Sequence, residues 1–509
     1  MSYFFGGNTF NFGKVIEDSM GSSFYTPIIP VMKKTSLDLY LLLPVKNFIE
    51  KQTSVGLLLI FSAIFAMIIA NSPLAESYHA LWKQYIHIGF NDYIIRKNLL
   101  HWINDGLMSM FFFLVGLELK REIMHGELSK IRGAMLPVMA AVGGMIIPAL
   151  IYLSFNSGTP AASGWGIPMA TDIAFALGIL YLLGDRVPLS LKVFLTAIAI
   201  VDDLGAVLVI AFFYTSDLSW ESLALAAFFL IILISSNYIG IRNTFFYAIM
   251  GIGGLWLAVM LSGVHATIAA VLAAFAIPTS RRINTPVFLR KVKWLSNEIR
   301  KILLTHQNEP KEAVENEISH TIEKFSSLAE DATPPLQRLE HALHPFVSFV
   351  VLPIFAFANA GVTITSDSLG FFTSPVTAGV IMGLLFGKFF GIVLFTKAMV
   401  FFKLSSLPKG VKWNHIYGVG ILAAIGFTMS LFITELAFAD EVFMIQAKIG
   451  ILSVSVLAGI LGYLYLNFIS KKKNSKPEAP VKIKEKPMAK SQEKTDVIPM
   501  RESRMKIVK

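Results

Sequence analysis

The amino-acid sequence predicts an all-α polytopic membrane protein with about twelve transmembrane helices, in inverted-topology repeats that contain two discontinuous, crossed helices. Of the 509 residues, 54% are hydrophobic and only 15% are charged. Apolar runs of about 20 residues, the length that a helix needs to cross a bilayer, recur along most of the chain. Two of these runs are interrupted by glycine or proline at matching depths, which is typical of such repeats.

The first seven apolar runs are separated by short polar or charged segments. The predicted spans are residues 54–71, 99–119, 133–155, 165–183, 188–214, 220–239 and 244–261. The fourth run is unusual, because two glycines and a proline precede Thr171 and Asp172, and apolar helix formers come only afterwards. The fourth span is therefore expected to be broken near its middle.

Five further apolar runs complete the predicted membrane domain, and the first of them is short. They cover residues 263–278, 345–362, 375–401, 415–438 and 446–469. The run at 375–401 is expected to be interrupted at Gly387 and Lys388. The run at 415–438 contains Gly418, Gly420 and Gly426, which predict a second broken span.

The chain is expected to have three parts: a cytoplasmic or interfacial extension at 1–50, a membrane domain at 51–470, and a disordered cytoplasmic tail at 471–509. The tail has 13 lysines and arginines against 5 acidic residues, which is +8 of the net charge of +10. It is too polar to form a core, and attraction to anionic lipid explains its basicity. Nucleic-acid binding is the alternative, and no such partner is expected. The chain has no cysteine, which excludes disulfides and cysteine-based redox or metal chemistry, and no cofactor is expected.

The long loop at 279–335 is the largest polar insertion in the membrane domain. Its first half, 288–304, is basic and amphipathic, with apolar residues at helical spacing (Phe288, Leu289, Val292, Leu295, Ile299 and Leu303). Such a helix suits the membrane surface, whereas the second half is acidic. The loop is interpreted as a solvated helical insert, or alternatively as a regulatory cover over the inner mouth of the protein.

Lysine and arginine alternate between the predicted loops. They are concentrated in the loops after spans two, four and ten and scarce after spans three, five and eleven, which places both termini in the cytoplasm. The first outer loop is the exception, because it contains Lys83, Arg96 and Lys97.

Two adjacent carboxylates, Asp202 and Asp203, lie in the middle of the fifth span. Each costs roughly 2.5–3.5 kcal/mol at that depth, so an intramembrane aspartate is by default a functional-site hypothesis. Neighbouring helix positions point about 100° apart, so the two carboxylates do not easily share one partner. One is expected to face Lys388 and the other an aqueous path. Together with Thr171 they offer the oxygen ligands that small hard cations prefer, and we extend that preference to sodium.

The two predicted breaks lie in corresponding spans of two units, spans three to five and ten to twelve, which points to an inverted-repeat transporter. The half-helix N-termini that face a break are partly positive and the C-termini partly negative. Asp172 is suited to balance the first and Lys388 the second. A buried structural ion pair and direct contact with the transported substrate remain alternatives for both residues.

Six stretches are similar to those of one known family: GLELKRE (116–122), ATDIAFA (170–176), IVDDLGA (200–206), GVHAT (263–267), FAFANAG (355–361) and GFTMS (426–430). Over about residues 50–470 the chain resembles the NhaA family of sodium/proton antiporters. The resemblance implies electrogenic, pH-regulated exchange of cytoplasmic sodium or lithium for external protons by alternating access. It also implies a bacterial inner-membrane location and a homodimer in the lipid bilayer.

The resemblance assigns roles to individual residues. Asp203 would be the principal cation ligand, and Asp202 its neighbour paired with Lys388, while Thr171 and Asp172 would belong to the crossed break. The family's pH-sensing residues would correspond to Glu118, Arg121, Glu122, His265, Glu340, His341 and His344. For His265, an ordinary packing role is the alternative explanation.

Two other classes of function are alternatives to sodium/proton exchange. An intramembrane aspartyl protease would need Tyr-Asp and Gly-x-Gly-Asp on separate helices, and neither occurs in the sequence, so the chain is not expected to be an enzyme. A transporter of an organic solute would need a roomy polar or aromatic lining, whereas these motifs are compact and apolar around the carboxylates.

Overall fold

The computed structural model describes residues 4–5, 8–9, 52–90, 93–215, 218–305, 311–364 and 366–470. The predicted extension at 1–50, apart from the strands β1 (Phe4–Phe5) and β2 (Asn8–Thr9), lies outside these described residues. The predicted tail at 471–509 lies outside them as well, so both remain predictions.

The first part of the membrane domain contains helices and one hairpin. In order, they are α1 (Gln52–Ala70), α2 (Ala75–Lys83), β3 (Tyr85–Phe90), β4 (Tyr93–Asn98), α3 (Leu99–His125) and α4 (Ile131–Asn156). Strands β3 and β4 pair in antiparallel fashion. This hairpin occupies the first outer loop, for which the sequence predicted only a connection.

The next part begins with a 3₁₀ helix, Pro160–Met169, that precedes α5 (Ile173–Leu182). It continues with α6 (Leu189–Phe213), α7 (Trp220–Ile239), α8 (Thr244–Leu261) and the short α9 (Ala266–Ala276).

The last part contains the insert and the second repeat unit. Its helices are α10 (Thr285–Thr305), α11 (Lys311–Ala332), α12 (Pro335–Asn359), the 3₁₀ helix Ser366–Thr373, α13 (Pro375–Phe401), α14 (Trp413–Leu422), α15 (Phe427–Ala437) and α16 (Glu441–Ile469).

An all-α polytopic membrane protein is confirmed. Among the described residues, ten helices are long and apolar enough to span a membrane, and the pair α14 and α15, bent by 45°, makes an eleventh. Helix α9 is apolar but has only 11 residues. The count of twelve spans depends on including it and stays a prediction.

One predicted span begins much earlier than expected, and one predicted interruption is absent from the described residues. Helix α12 begins at Pro335, ten residues before the predicted span, because its first three turns are amphipathic rather than apolar. Helix α13 is continuous through Gly387 and Lys388, with one wider turn at Gly383–Gly387. A Cβ atom at Gly387 would overlap the backbone of Pro148 on α4, so this glycine serves close helix packing and not a break.

The insert forms a helical hairpin, in which α10 packs along α11. The amide groups of Arg282 and Ile283 donate to the carbonyl of Asp331 at 3.1 and 3.2 Å, which closes the base of the hairpin. Leu295 and Ile302 are buried. Leu295 belongs to the apolar stripe predicted for the membrane surface, so that part of the stripe packs inside the protein instead.

The centre of the protein is built around α4, which packs against α6, α13 and the 3₁₀ helix Pro160–Met169. Close approach of α4 and α13 requires glycine on both, since a Cβ atom at Gly143 would overlap Gly391, and the reverse also holds. This packing places the aspartate pair of α6 opposite Lys388 of α13.

Candidate functional site

The two broken spans meet at their breaks. The first break is the extended segment between Met169 and Ile173, and the second lies between Leu422 and Phe427. The amide of Asp172 donates to the carbonyl of Ile425 at 2.7 Å. The glycine and proline signals in the sequence therefore located both breaks, and tertiary packing brings them into contact.

Asp172 caps the N-termini of two half-helices at once. Its Oδ1 accepts from the amide of Phe175 in α5 at 2.9 Å. Its Oδ2 accepts from the amide and the hydroxyl of Thr428 in α15, at 3.0 and 2.6 Å. A carboxylate is stabilising at the partly positive end of a helix, and this one faces two such ends while it is almost fully buried.

Asp202 lies in a buried ion pair. Its Oδ2 accepts from Lys388 Nζ at 2.5 Å, and both side chains have no exposed surface. The hydroxyl of Thr171 lies 2.8 Å from the same oxygen and 3.0 Å from the carbonyl of Ala423. A hydroxyl has one proton to donate, so Thr171 can serve only one of these acceptors at a time.

Asp203 is the only one of these carboxylates that is left with both oxygens unpaired. The residue is fully buried, and neither its Oδ1 nor its Oδ2 has a hydrogen-bond partner, nor does Oδ1 of Asp202. The prediction that one of the two carboxylates faces an aqueous path is wrong for this structure, because both are enclosed. A buried charge without a partner is very costly, so Asp203 requires either a proton or a cation.

Several contributors to this site were not singled out from the sequence. Thr428 stands in the GFTMS stretch, but only the fold shows that it bonds to Asp172. The amide of Phe427, at the start of α15, donates to Ser455 of α16 at 3.2 Å. A Cβ atom at Gly205 would overlap the sulfur of Met145 on α4. Because position 205 has no side chain, α4 packs closely against the part of α6 that carries the aspartate pair.

The structure brings together six of the seven predicted pH-sensing residues. Arg121 on α3 donates to Glu340 on α12 and to Glu122, the latter at 3.0 Å. Glu118 and His341 interact electrostatically with Glu340. The result is a charged network that joins α3 to α12 at one end of the bundle.

His344 completes this network, whereas His265 lies apart from it. His344 interacts electrostatically with Arg121 and His341. His265 precedes α9, with Nε2 2.8 Å from the carbonyl of Tyr214. Lys120 donates to two carbonyls, those of Phe275 and Ile277, at the other end of α9. Eleven helical residues rise about 16 Å, so His265 and the cluster belong to different levels of the bundle.

Comparisons with known proteins agree on one family. The family described as Na+/H+ antiporter 1 matches residues 46–466. A protein named Na(+)/H(+) antiporter NhaA from Oleidesulfovibrio alaskensis is 50% identical over 431 residues, which cover 84% of this chain and 94% of that protein.

Two further relatives have similar coverage. Na(+)/H(+) antiporter NhaA 1 from Saccharophagus degradans is 48% identical over 440 residues, 85% of this chain and 93% of its own. Na(+)/H(+) antiporter NhaA from Acidithiobacillus ferrooxidans is 47% identical over 437 residues, 86% of this chain and 100% of its own.

Proposed function

This chain belongs to the Na+/H+ antiporter 1 family, and from that premise we propose that it exchanges sodium or lithium ions for protons across a bacterial membrane. The exchange is secondary active transport: the inward flow of protons drives cytoplasmic sodium or lithium out of the cell. No covalent chemistry is required, so the protein acts as a transporter and not as an enzyme.

The burial of Asp203 without partners carries this proposal. The carboxylate has neither solvent nor a hydrogen bond, and a charge in that position is stable only beside a counter-ion. Oδ1 of Asp202 is also unpaired and belongs to the adjacent residue. Three carboxylate oxygens are therefore available to a small cation, and oxygen is the ligand that hard cations prefer.

Competition between the two ions then accounts for exchange. A proton neutralises Asp203, whereas a bound sodium ion requires the carboxylate to be charged, so each ion displaces the other from one site. Lys388 compensates the charge of Asp202 in the state described here. No separate proton channel is needed, provided that the protein changes conformation only when the site is loaded.

The crossed breaks suit alternating access. In inverted-repeat transporters, binding sites lie near the midplane beside discontinuous helices, and one part of the protein rocks against the other. Here Asp172 bonds to both α5 and α15, so the two half-helices move as a unit around the site. We propose that this unit carries the change in access.

Control by pH is assigned to the network of Arg121, Glu122 and Glu340. It joins α3 to α12 at one end of the bundle, and none of its three residues is hydrogen-bonded to Asp203. A change in its protonation would change the attraction between the two helices without removing a cation ligand. We assign Glu118, His341 and His344 to the same network.

The remaining assignments concern placement and stoichiometry. From the alternation of basic loops we propose that both termini lie in the cytoplasm and that the protein lies in a bacterial inner membrane. By resemblance to the family we also propose a homodimer and electrogenic exchange. The location of the termini is tested by the accessibility of single introduced cysteines to membrane-impermeant thiol reagents. Cross-linking in native membranes tests the homodimer, and a potential-sensitive dye in proteoliposomes tests electrogenic exchange.

The deciding experiment measures transport and binding in parallel. Inverted membrane vesicles with a preformed proton gradient are given sodium, lithium, potassium or an organic solute, and a pH-sensitive dye reports proton movement. Sodium and lithium should collapse the gradient, and potassium and organic solutes should not. Uptake of an organic solute without a response to sodium would favour the other transporter class.

Calorimetry on the detergent-solubilised protein tests the site itself. In buffers of different ionisation enthalpy, sodium binding should release protons from the wild type. Asp203→Asn should lose both sodium binding and exchange, because it removes the ligand and the proton carrier together. Asp202→Asn should have a sodium affinity closer to that of the wild type. Wild-type sodium affinity in Asp203→Asn would refute this ligand assignment, and binding without proton release would refute direct competition.

A further inference from the structure

A small cleft opens beside the N-terminal half of α6. It has a volume of about 130 Å³ and lies between α3, α5 and α6. Its lining residues are Glu122, Glu127, Tyr181, Leu189, Lys192, Val193, Thr196, Ala197 and Ile200. A water molecule occupies about 30 Å³ of liquid, so the cleft has room for a cation with part of its hydration shell.

The cleft points along α6 toward the aspartate pair. Ile200 is its innermost residue on that helix, and Asp203 follows three positions later, a rise of about 4.5 Å. Ile200 and Asp203 are both buried, so the cleft ends just short of the site. With the termini in the cytoplasm, as the proposed function has it, this is the cytoplasmic side of α6.

One lysine is fixed inside this cleft. Lys192 donates to the carbonyl of Gly184 at 3.1 Å, and its Nζ lies 4.5 Å from the centre of the Tyr181 ring. Gly184 has a φ of 56°, a left-handed conformation typical of glycine after a helix, here just beyond the end of α5. The ammonium group is therefore held by the C-terminal end of α5 and by an aromatic face.

The acidic residues of the cleft do not neutralise this lysine by contact. Glu122 bonds to Arg121 through one oxygen and to the amide of Glu127 through the other. Glu127 is exposed at the rim. The charges of the cleft add, so Lys192 makes its potential more positive than Glu122 and Glu127 alone would make it. The lysine therefore lowers the local concentration of cations, and the rate at which they arrive, relative to a cleft without it.

We propose that Lys192 limits cation access from the cytoplasm and so sets the apparent affinity for cytoplasmic sodium. This inference rests on the proposed function, since it assigns a further residue to the same transport path. Lys192 acts on the approaching ion by its charge, whereas Asp203 acts on the bound ion as a ligand.

The test compares two lysines of similar surroundings. Lys397 on α13 also lies over a tyrosine ring, with Nζ 5.4 Å from the centre of Tyr417, but it does not line the cleft. In inverted vesicles, where the cytoplasmic face is outside, Lys192→Gln should lower the apparent KM for sodium about two- to fivefold at low ionic strength. Lys397→Gln should leave the KM at the wild-type value.

Two additional measurements separate charge from packing. Lys192→Arg keeps the positive charge and should retain the wild-type KM. Raising the ionic strength with an untransported salt should bring Lys192→Gln and the wild type together, because at about 0.1 M charges are screened beyond roughly 10 Å. A lowered KM in Lys192→Arg or in Lys397→Gln, or a difference that persists at high salt, would overturn the inference.

The outcomes also distinguish this inference from the proposed function. If the wild type exchanges sodium for protons and Lys192→Gln has the same KM, the inference alone is overturned. If the wild type shows no sodium-dependent proton movement at any pH, the proposed function is overturned and the role of Lys192 with it.

Discussion

Lys388 allows the buried charge pair to be tested by a change in stability. Its Nζ lies 2.5 Å from Asp202 Oδ2, and neither side chain is exposed. Removing one partner of a buried pair costs about 3–5 kcal/mol, because the other charge is left without compensation. An unfolding entropy of about 2.1 cal/mol/K per residue corresponds to about 1 °C per kcal/mol for a chain of 509 residues, so Lys388→Met should lower the melting temperature by about 3–5 °C.

The choice of methionine separates the charge from the packing. Methionine is unbranched and apolar and fills most of the space of a lysine stem, whereas Lys388→Ala would also leave a cavity. A control pair exists on α15 and α16, where Lys448 lies 2.6 Å from Glu435 and both side chains are 13–14% exposed. Lys448→Met should therefore lower the melting temperature less, by about 1 °C.

The assay is thermal unfolding of the purified protein in detergent at one fixed heating rate, since unfolding of such proteins is often irreversible. The double variant Lys388→Met, Asp202→Asn should recover most of the loss, because it removes both charges. Melting of Lys388→Met at the temperature of Lys448→Met would show that loss of Lys388 does not leave an uncompensated buried charge on Asp202. A double variant as unstable as Lys388→Met would show that the lost stability does not come from that charge.

The remaining predictions concern the break and the charged network. Asp172→Ala should lower the melting temperature by about 2–3 °C, because the amides of Phe175 and Thr428 lose a charged acceptor. Asp172→Asn should be milder, and equal melting of all three proteins would contradict the capping role. Glu340→Gln and His344→Ala should shift the pH profile of exchange in inverted vesicles more than the maximal rate. An unchanged profile with a collapsed rate would place these residues in the ion path instead.

Local sequence signals were sufficient for most of the membrane spans. A helix that crosses a bilayer needs about 20 predominantly apolar residues, so each span is visible as a run of such residues. The same signal failed for α12, whose first turns at Pro335 alternate apolar and charged positions. It also misjudged Gly387, because a glycine that allows close packing and a glycine that breaks a helix look alike in sequence.

The candidate site was partly visible for a similar reason. Charged residues are so costly within a bilayer that Asp202, Asp203, Asp172 and Lys388 stand out without any structure. Their partners do not stand out: Thr428 contacts Asp172 across 256 positions of the chain, and no periodic pattern encodes such a contact.

The sequence by itself determined the membrane class, most of the helices, the two breaks and the four buried charges, because each depends on residues that are neighbours in the chain. The local sequence pattern left open which charge is paired; the family resemblance implied Asp202, and the tertiary structure has that pair. Asp202 and Asp203 are adjacent and chemically identical, yet the packing of α4 against α6 and α13 gives Lys388 to Asp202 and leaves Asp203 without a partner. That difference depends on the direction of each side chain within the packed helices, which only the folded chain defines.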